Sequence, residues 1–406
     1  MFENIIGQES TIAALRQELA SGTLPRAVLL HGPPYSGKLS TALELARVLT
    51  CAQAGEWSCA CPSCRRQRLL THPGTMLAGS RYFEQEIAAS ADVLLRSRKP
   101  PAQYLFIRAV RKLTRRFDSL LWEGEDGRIR PLGPVLAQVE EALDSLSPDR
   151  PDASEPAQKG LQKMLEAVQA GCRLLAKALP EDNIPINIVR RAAAWLHLTP
   201  GVGETRKVLI LENAERMLDS SANSLLKLLE EPPPDARLIL TTVRRAALHR
   251  TVASRLRPYP LVERGPKESA EVLARIFREE SGAYSSLRDY FLRWEEVDPD
   301  ELRLLAQRFV QSAFASPEAE AQPGPSEALE KITALASGKT GRQVAGVFFE
   351  ELALRLRQLL QEGAIEPRRL RRWNDAFRQH LDAFERYNQQ PALTLESLFY
   401  CLRGLP

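Results

Sequence analysis

The sequence predicts an α/β protein: a parallel sheet interrupted by a helical block and followed by helices alone. Three observations predict it. Ala27-Val28-Leu29-Leu30-His31 is a short apolar run, followed by a glycine-rich turn and a helical pattern from about Lys38 to Thr50. Strand, glycine turn and helix make the phosphate-binding unit of nucleoside-triphosphatase folds. Val208-Leu209-Ile210-Leu211 and Leu238-Ile239-Leu240-Thr241 are apolar runs of the kind that fill parallel sheets. From about residue 264 onward only helical periodicity remains.

Composition narrows the class. A chain of 406 residues suggests two to four domains at roughly 150 residues each. At 44% hydrophobic and 26% charged it is neither wholly disordered, collagen-like nor a bundle of membrane spans. No apolar run approaches the ~18 residues of a membrane helix. Met1-Phe2-Glu3-Asn4 opens no basic or apolar leader, so a cytoplasmic protein without a membrane partner is expected. The net charge of +4 says little, and the 44 arginines against 11 lysines fit a base-composition bias as well as phosphate binding.

Along the chain, Thr11 to Ala20 is amphipathic and helical. Residues 80–182 read as a separate helical block, with a proline-bearing loop at 147–158 containing Pro148, Pro151 and Pro156. Ser316 to Ser326 is a linker in composition, and 327–406 is helical again. Leu225, Leu228 and Leu229 at helical spacing are core positions, as are Cys172 and Cys401.

Gly32-Pro33-Pro34-Tyr35-Ser36-Gly37-Lys38 fits G-x-x-x-x-G-K. Backbone N–H groups of such a loop turn inward around phosphate, and the lysine reaches the β- and γ-phosphates. The next residue should carry a hydroxyl for Mg²⁺; here it is Leu39. Ser40 lies about 100° further round the helix and is no simple substitute. The strand ending at Leu211 should be followed by two carboxylates. Glu212 could carry metal charge at longer reach, but Asn213 is an amide and no base near pH 7. Both departures remove hydrolysis chemistry, so intrinsic ATPase activity is not expected. The alternative is a site that works through unusual substitutes.

Cys51, Cys59, Cys61 and Cys64 read C-x₇-C-x-C-x₂-C. Four thiolates suit a tetrahedral, structural Zn²⁺. The alternative is free thiols or a partly vestigial site. Between Arg96 and Arg116 stand eight basic residues and no acidic one: Arg96, Arg98, Lys99, Arg108, Arg111, Lys112, Arg115 and Arg116, with Tyr104 and Phe106 among them. A nucleic-acid patch would look so. Yet Phe106, Val110, Leu113, Phe117 and Leu121 recur at helical spacing, and 81–185 holds 16 basic and 16 acidic residues. A solvated helix face is the favoured reading.

Several segments resemble a known family. Phe2-Glu3-Asn4-Ile5-Ile6-Gly7-Gln8 resembles the opening of bacterial DNA polymerase III clamp-loader subunits. Ala222-Asn223-Ser224-Leu225-Leu226-Lys227-Leu228-Leu229-Glu230-Glu231-Pro232-Pro233 resembles the family's NALLKxLEEPP. Thr251-Val252-Ala253-Ser254-Arg255-Leu256 resembles TIxSRC, with Leu256 in place of Cys. Arg386 to Leu398 resembles the closing helix of the delta-prime type. The likeness covers roughly 1–79, 183–262 and the last 70 or so residues, and leaves out 80–182. In its cysteine module the family usually spaces the last three cysteines C-x₂-C-x₂-C, so this chain is one residue short.

The resemblance implies a RecA-like AAA+ domain over 1–263, a helical lid over 264–315 and a helical collar over 327–406. It implies a pentameric ring with gamma/tau and delta subunits that loads the sliding clamp on primed DNA. In the delta-prime type the ATP site is typically degenerate, which agrees with Leu39 and Asn213. Arg255 would be an arginine finger acting in trans, a role a permanently charged fork suits. Thr241 and Thr242 stand where the family senses nucleotide, unless they merely satisfy backbone groups. Whether the loop still holds ATP and Mg²⁺ stays open here. The competing readings are an active gamma/tau-type ATPase and a zinc-containing DNA-binding protein outside any ring.

Overall fold

The computed structural model describes residues 1–79, 83–149, 158–180, 183–199, 206–280, 282–284, 286–294, 298–314, 327–337, 341–386 and 389–404. The linker at 316–326, most of the proline loop at 147–158, and Tyr387 and Asn388 lie outside them. The chain packs as two units, Met1–Trp294 and Glu295–Pro406.

The first unit begins α1 (Glu9–Ala20), β1 (Ala27–His31), α2 (Lys38–Thr50), α3 (Pro62–Arg68) and β2 (Thr75–Gly79). A helical stretch follows: α4 (Glu84–Ser97), α5 (Pro100–Thr114), α6 (Asp126–Ile129), α7 (Gly133–Ser145), α8 (Gln158–Ala178) and α9 (Ile186–His197). Then come β3 (Lys207–Glu212), α10 (Asp219–Glu230), β4 (Ala236–Thr242), α11 (Arg250–Ala253), β5 (Arg257–Pro260), α12 (Pro266–Val272) and α13 (Leu287–Leu292).

The five strands form one parallel sheet in the order β2-β3-β4-β1-β5. This is the expected α/β class. Val28, Leu30, Val208, Ile210 and Ile239 pack on one side with Leu39, Leu43 and Leu15. Leu29, Leu209, Leu211, Leu238 and Leu240 pack on the other with Val189, Leu225 and Leu228. Burial on both faces is why the strands read as unbroken apolar runs.

Two strands escape the sequence. β5 is Arg-Pro-Tyr-Pro, and proline is confined to sheet edges, where β5 sits. β2, at the opposite edge, ends at Gly79, whose φ is +97°; a Cβ there would lie 2.1 Å from the Glu212 carbonyl oxygen.

The helical block is not separate, contrary to the sequence reading. Phe106, Val110, Leu113 and Leu165 share one core with Val272, Phe277, Tyr290 and Phe291 from the α12–α13 stretch. The second unit contains α14 (Pro299–Phe314), α15 (Glu327–Ala336), α16 (Gly341–Gln361), α17 (Pro367–Arg386) and α18 (Pro391–Gly404). Their core gathers Phe309, Phe348, Phe349, Trp373 and Phe399. α14, which the sequence assigns to the lid, packs within this second unit. Cys172 is buried and Cys401 half-buried. Among the described residues no helix is long and apolar enough to cross a membrane.

Candidate functional site

The phosphate loop joins β1 to α2. Gly37 precedes the helix at φ +93°, a conformation glycine adopts without strain. Gly32 closely approaches β5's end: a Cβ there would lie 2.1 Å from the Leu261 carbonyl oxygen. Pro33 and Ser36 complete the turn, and Pro34 is exposed. Lys38 Nζ donates to the Gly32 and Pro33 carbonyls at 2.8 and 2.6 Å. Its charge is thus folded onto the loop itself. Tyr35 stacks on Phe291, ring centroids 5.4 Å apart. The Arg264 guanidinium donates from Nε to the Ile6 carbonyl at 3.0 Å and from Nη1 to the Tyr35 carbonyl. Burial holds that guanidinium below its ordinary pKa. Arg264 was not singled out by sequence, because its partners are 229 and 258 residues away.

The metal positions are filled differently. Leu39 is buried in the sheet's core and Ser40 faces solvent. Glu212, at the end of β3, accepts from Arg116 Nη2 at 2.6 Å. Arg116 also bonds the Ala78 carbonyl of β2. Both side chains are buried, Arg116 at 2% and Glu212 at 10% exposure. A guanidinium from the helical block therefore neutralises the carboxylate that a magnesium ion would need. Asn213 takes a left-handed backbone (φ +54°), and its N–H donates to Thr241 Oγ1 at 3.3 Å. Thr242 Oγ1 accepts from the Arg244 N–H at 3.1 Å. Both threonines are buried and hold backbone groups. With no hydroxyl at position 39 and Glu212 ion-paired, these residues do not fit a magnesium ion.

The basic run needs correction. Arg111, Lys112 and Arg116 are buried, not on a solvated face. Arg111 pairs with Glu140 and Asp144, Lys112 with Glu86, Arg115 with Asp118, and Arg96 with Asp92 and Glu279. Arg108 donates to the Gln67 and Arg68 carbonyls. These cations tie the block's helices to one another, to α3 and to Glu279; buried charges need such partners.

Arg255 lies elsewhere. It precedes β5, whereas the phosphate loop follows β1. The two strands are parallel, Val28 opposite Arg257 and His31 opposite Pro260. Arg255 and the loop thus stand at opposite ends of the sheet, separated by at least the five-residue length of β1, about 16 Å at ~3.3 Å per residue. Arg255 Nε and Nη2 bond Glu230 Oε1 at 3.0 and 2.6 Å, and Nη1 bonds the Thr251 carbonyl at 2.8 Å. The pair is half-exposed, so releasing the guanidinium costs roughly 0–1 kcal/mol. Arg255 borders a shallow surface depression of about 510 Å³.

The four cysteines converge. Their Sγ atoms all lie within 4.8 Å of one another. Cys51 Sγ is 3.6 Å from Cys59 Sγ and 3.9 Å from Cys61 Sγ. Tetrahedral Zn–S bonds of about 2.3 Å put sulfurs about 3.8 Å apart, so the donor set fits zinc. The shortened C-x-C is absorbed by a turn before Cys59, and Cys61 caps α3, its Sγ accepting from the Cys64 N–H at 3.4 Å. Burial opposes ionisation of Cys61, but the backbone N–H groups of Cys64 and Ala52 and the neighbouring thiols prevail and pull it down to about 6. Burial instead pushes Cys64 well up. Arg47 lies behind the cluster, donating to Cys64 Sγ at 3.1 Å and to both oxygens of Glu44. Such outer partners offset thiolate charge. Glu44 also accepts from the Phe2 N–H at 3.1 Å, which ties the N-terminal motif to this module.

Zinc would cross-link the end of α2 to α3. Metal analysis of the purified chain should therefore find one zinc per chain, and chelation should lower the melting temperature. Less than half an equivalent would reject the four-ligand site.

A search of curated proteins gave no match. Among solved structures, a DNA polymerase III gamma subunit-related protein from Thermotoga maritima matches at 23% identity, covering 56% of this chain and 82% of that one, with a TM-score of 0.26. A family model described as DNA polymerase III, delta subunit, matches residues 7–124 and 150–264, more than half of the chain. The match takes in the phosphate loop, the cysteine cluster, Arg116, Glu212 and Arg255. The chain belongs to the DNA polymerase III delta-subunit family.

Proposed function

We propose that the chain is a delta-prime-type clamp-loader subunit: an AAA+ scaffold that hydrolyses no ATP itself and completes a neighbour's site with Arg255. Its partners would be gamma/tau and delta subunits in a five-membered ring acting on the sliding clamp and primed DNA in the cytoplasm. The RecA-like part at 1–263 would carry the finger, the following helices the lid, and the second unit the collar. The cysteine cluster would hold structural zinc.

One observation carries the reading. The group suited to phosphoryl transfer, Arg255, stands at the end of the sheet away from the chain's own loop, which supports a role on nucleotide held by another subunit rather than on the chain's own. The loop end in turn has Leu39 in the core and Glu212 on Arg116.

The purified subunit tested alone should show no turnover above background. Turnover near ~1 s⁻¹, within the ordinary enzyme range, would favour the gamma/tau-type motor instead.

A further inference from the structure

The surface around Arg255 carries more than one cation. Ala27 of β1 is paired with Leu238 of β4, and the Leu238 N–H donates to the Arg26 carbonyl at 2.7 Å. Arg26 is therefore level with Arg237. On the other side Val28 is paired with Arg257, so Arg26 and Arg255 each stand two residues before a paired position at the same end of the sheet. Neighbouring strands lie about 4.8 Å apart. The amino edge of the sheet thus presents a row of arginines across β4, β1 and the approach to β5.

Among the described residues carboxylates do not balance this row. Glu230 is taken by Arg255, and Arg257 reaches Glu18 only at 3.8 Å. Arg26 is exposed and makes one side-chain hydrogen bond, from Nη1 to the Pro232 carbonyl at 3.1 Å. No carboxylate among the described residues pairs with it. Burial first, then the charges of Arg206 and Arg26, hold the Arg237 guanidinium below its ordinary value, against Asp235. Arg26, Arg255, Arg257 and Glu230 border the same depression. Three guanidiniums facing one carboxylate around an open hollow favour a polyanion.

We propose that Arg26 is a second trans contact, binding the phosphates of the nucleoside triphosphate held by the adjacent subunit beside Arg255. This rests on Arg255 being a trans finger. The two arginines divide the task. Arg255 meets charge that develops during transfer, so its loss acts on kcat. Arg26 binds charge already present on the bound triphosphate, so its loss acts on KM.

The test uses the reconstituted loader with primed DNA and clamp, comparing Arg26→Ala, Arg26→Lys and Arg255→Ala. Arg26→Ala should raise the KM for ATP about tenfold, the usual effect of losing a charge-assisted bond, with kcat within about threefold. Arg26→Lys should recover much of the loss, because the charge stays, and it covers the case in which alanine disturbs folding. Lowered kcat in Arg255→Ala with an unchanged KM in Arg26→Ala would overturn this proposal and leave the finger standing. A silent Arg255→Ala with a raised KM in Arg26→Ala would remove the finger and keep the phosphate contact. If Arg26→Ala weakens primed-DNA binding at an unchanged KM for ATP, the row faces DNA and the proposal fails.

Discussion

Arg116→Met is expected to cost about 3–5 kcal/mol of folding stability, because it removes the buried guanidinium that meets the Glu212 carboxylate. That is a large share of the ~5–15 kcal/mol that holds a typical domain together. Desolvating both ions is itself costly, so the pair adds little beyond an apolar match. Removing one partner is the severe change. The double variant Arg116→Met with Glu212→Leu should therefore recover at least half of the loss. Urea denaturation with an unchanged slope is the measurement. Additive losses would show that the two side chains do not depend on each other. Freeing Glu212 should not create ATPase activity, since Leu39 still lacks the hydroxyl.

This pair also marks where the sequence stops being legible. β1, the phosphate loop and α2 are contiguous, so one local pattern reveals all three. The cysteine cluster is equally local, and its chemistry follows from residue type. The loss at Leu39 could be read directly. The fate of Glu212 could not: its partner is 96 residues away, in a block that looked independent. Charge counting misled for the same reason. Eight basic residues and no acidic one between Arg96 and Arg116 suggest a wet or nucleic-acid face, yet Arg111, Lys112 and Arg116 find carboxylates across helix contacts that no spacing rule contains. The Arg264 bonds to the Ile6 and Tyr35 carbonyls and the Tyr35–Phe291 stack are likewise contacts made only by folding. β5 was hidden by its prolines. Without it the sheet order is incomplete, and the opposed placement of Arg255 and the loop cannot be deduced. Arg255 was legible as a residue through its motif, but its distance from its own loop is a property of topology.

The second large effect concerns Arg255 itself. Its carboxylate partner among the described residues, Glu230, is half-exposed, so the present ion pair contributes little to stability. Arg255→Ala should leave the melting temperature within about a degree or two, since exposed pairs are worth roughly 0–1 kcal/mol. Its effect on chemistry should be far larger, because a finger arginine contributes about 10³–10⁵-fold in turnover at the site it completes. Only that one site in the ring would lose it. Arg255→Lys should rescue poorly, because a point charge lacks the fork that bridges transferring oxygens.

The central claim is that this subunit acts on nucleotide it does not hold. DNA-stimulated ATP turnover and clamp loading by a loader reconstituted with Arg255→Ala test it most directly. Loss of turnover at one site, with clamp loading slowed at least tenfold and the ring still assembled, is the predicted result. Turnover and loading equal to those of the unmodified loader would contradict it.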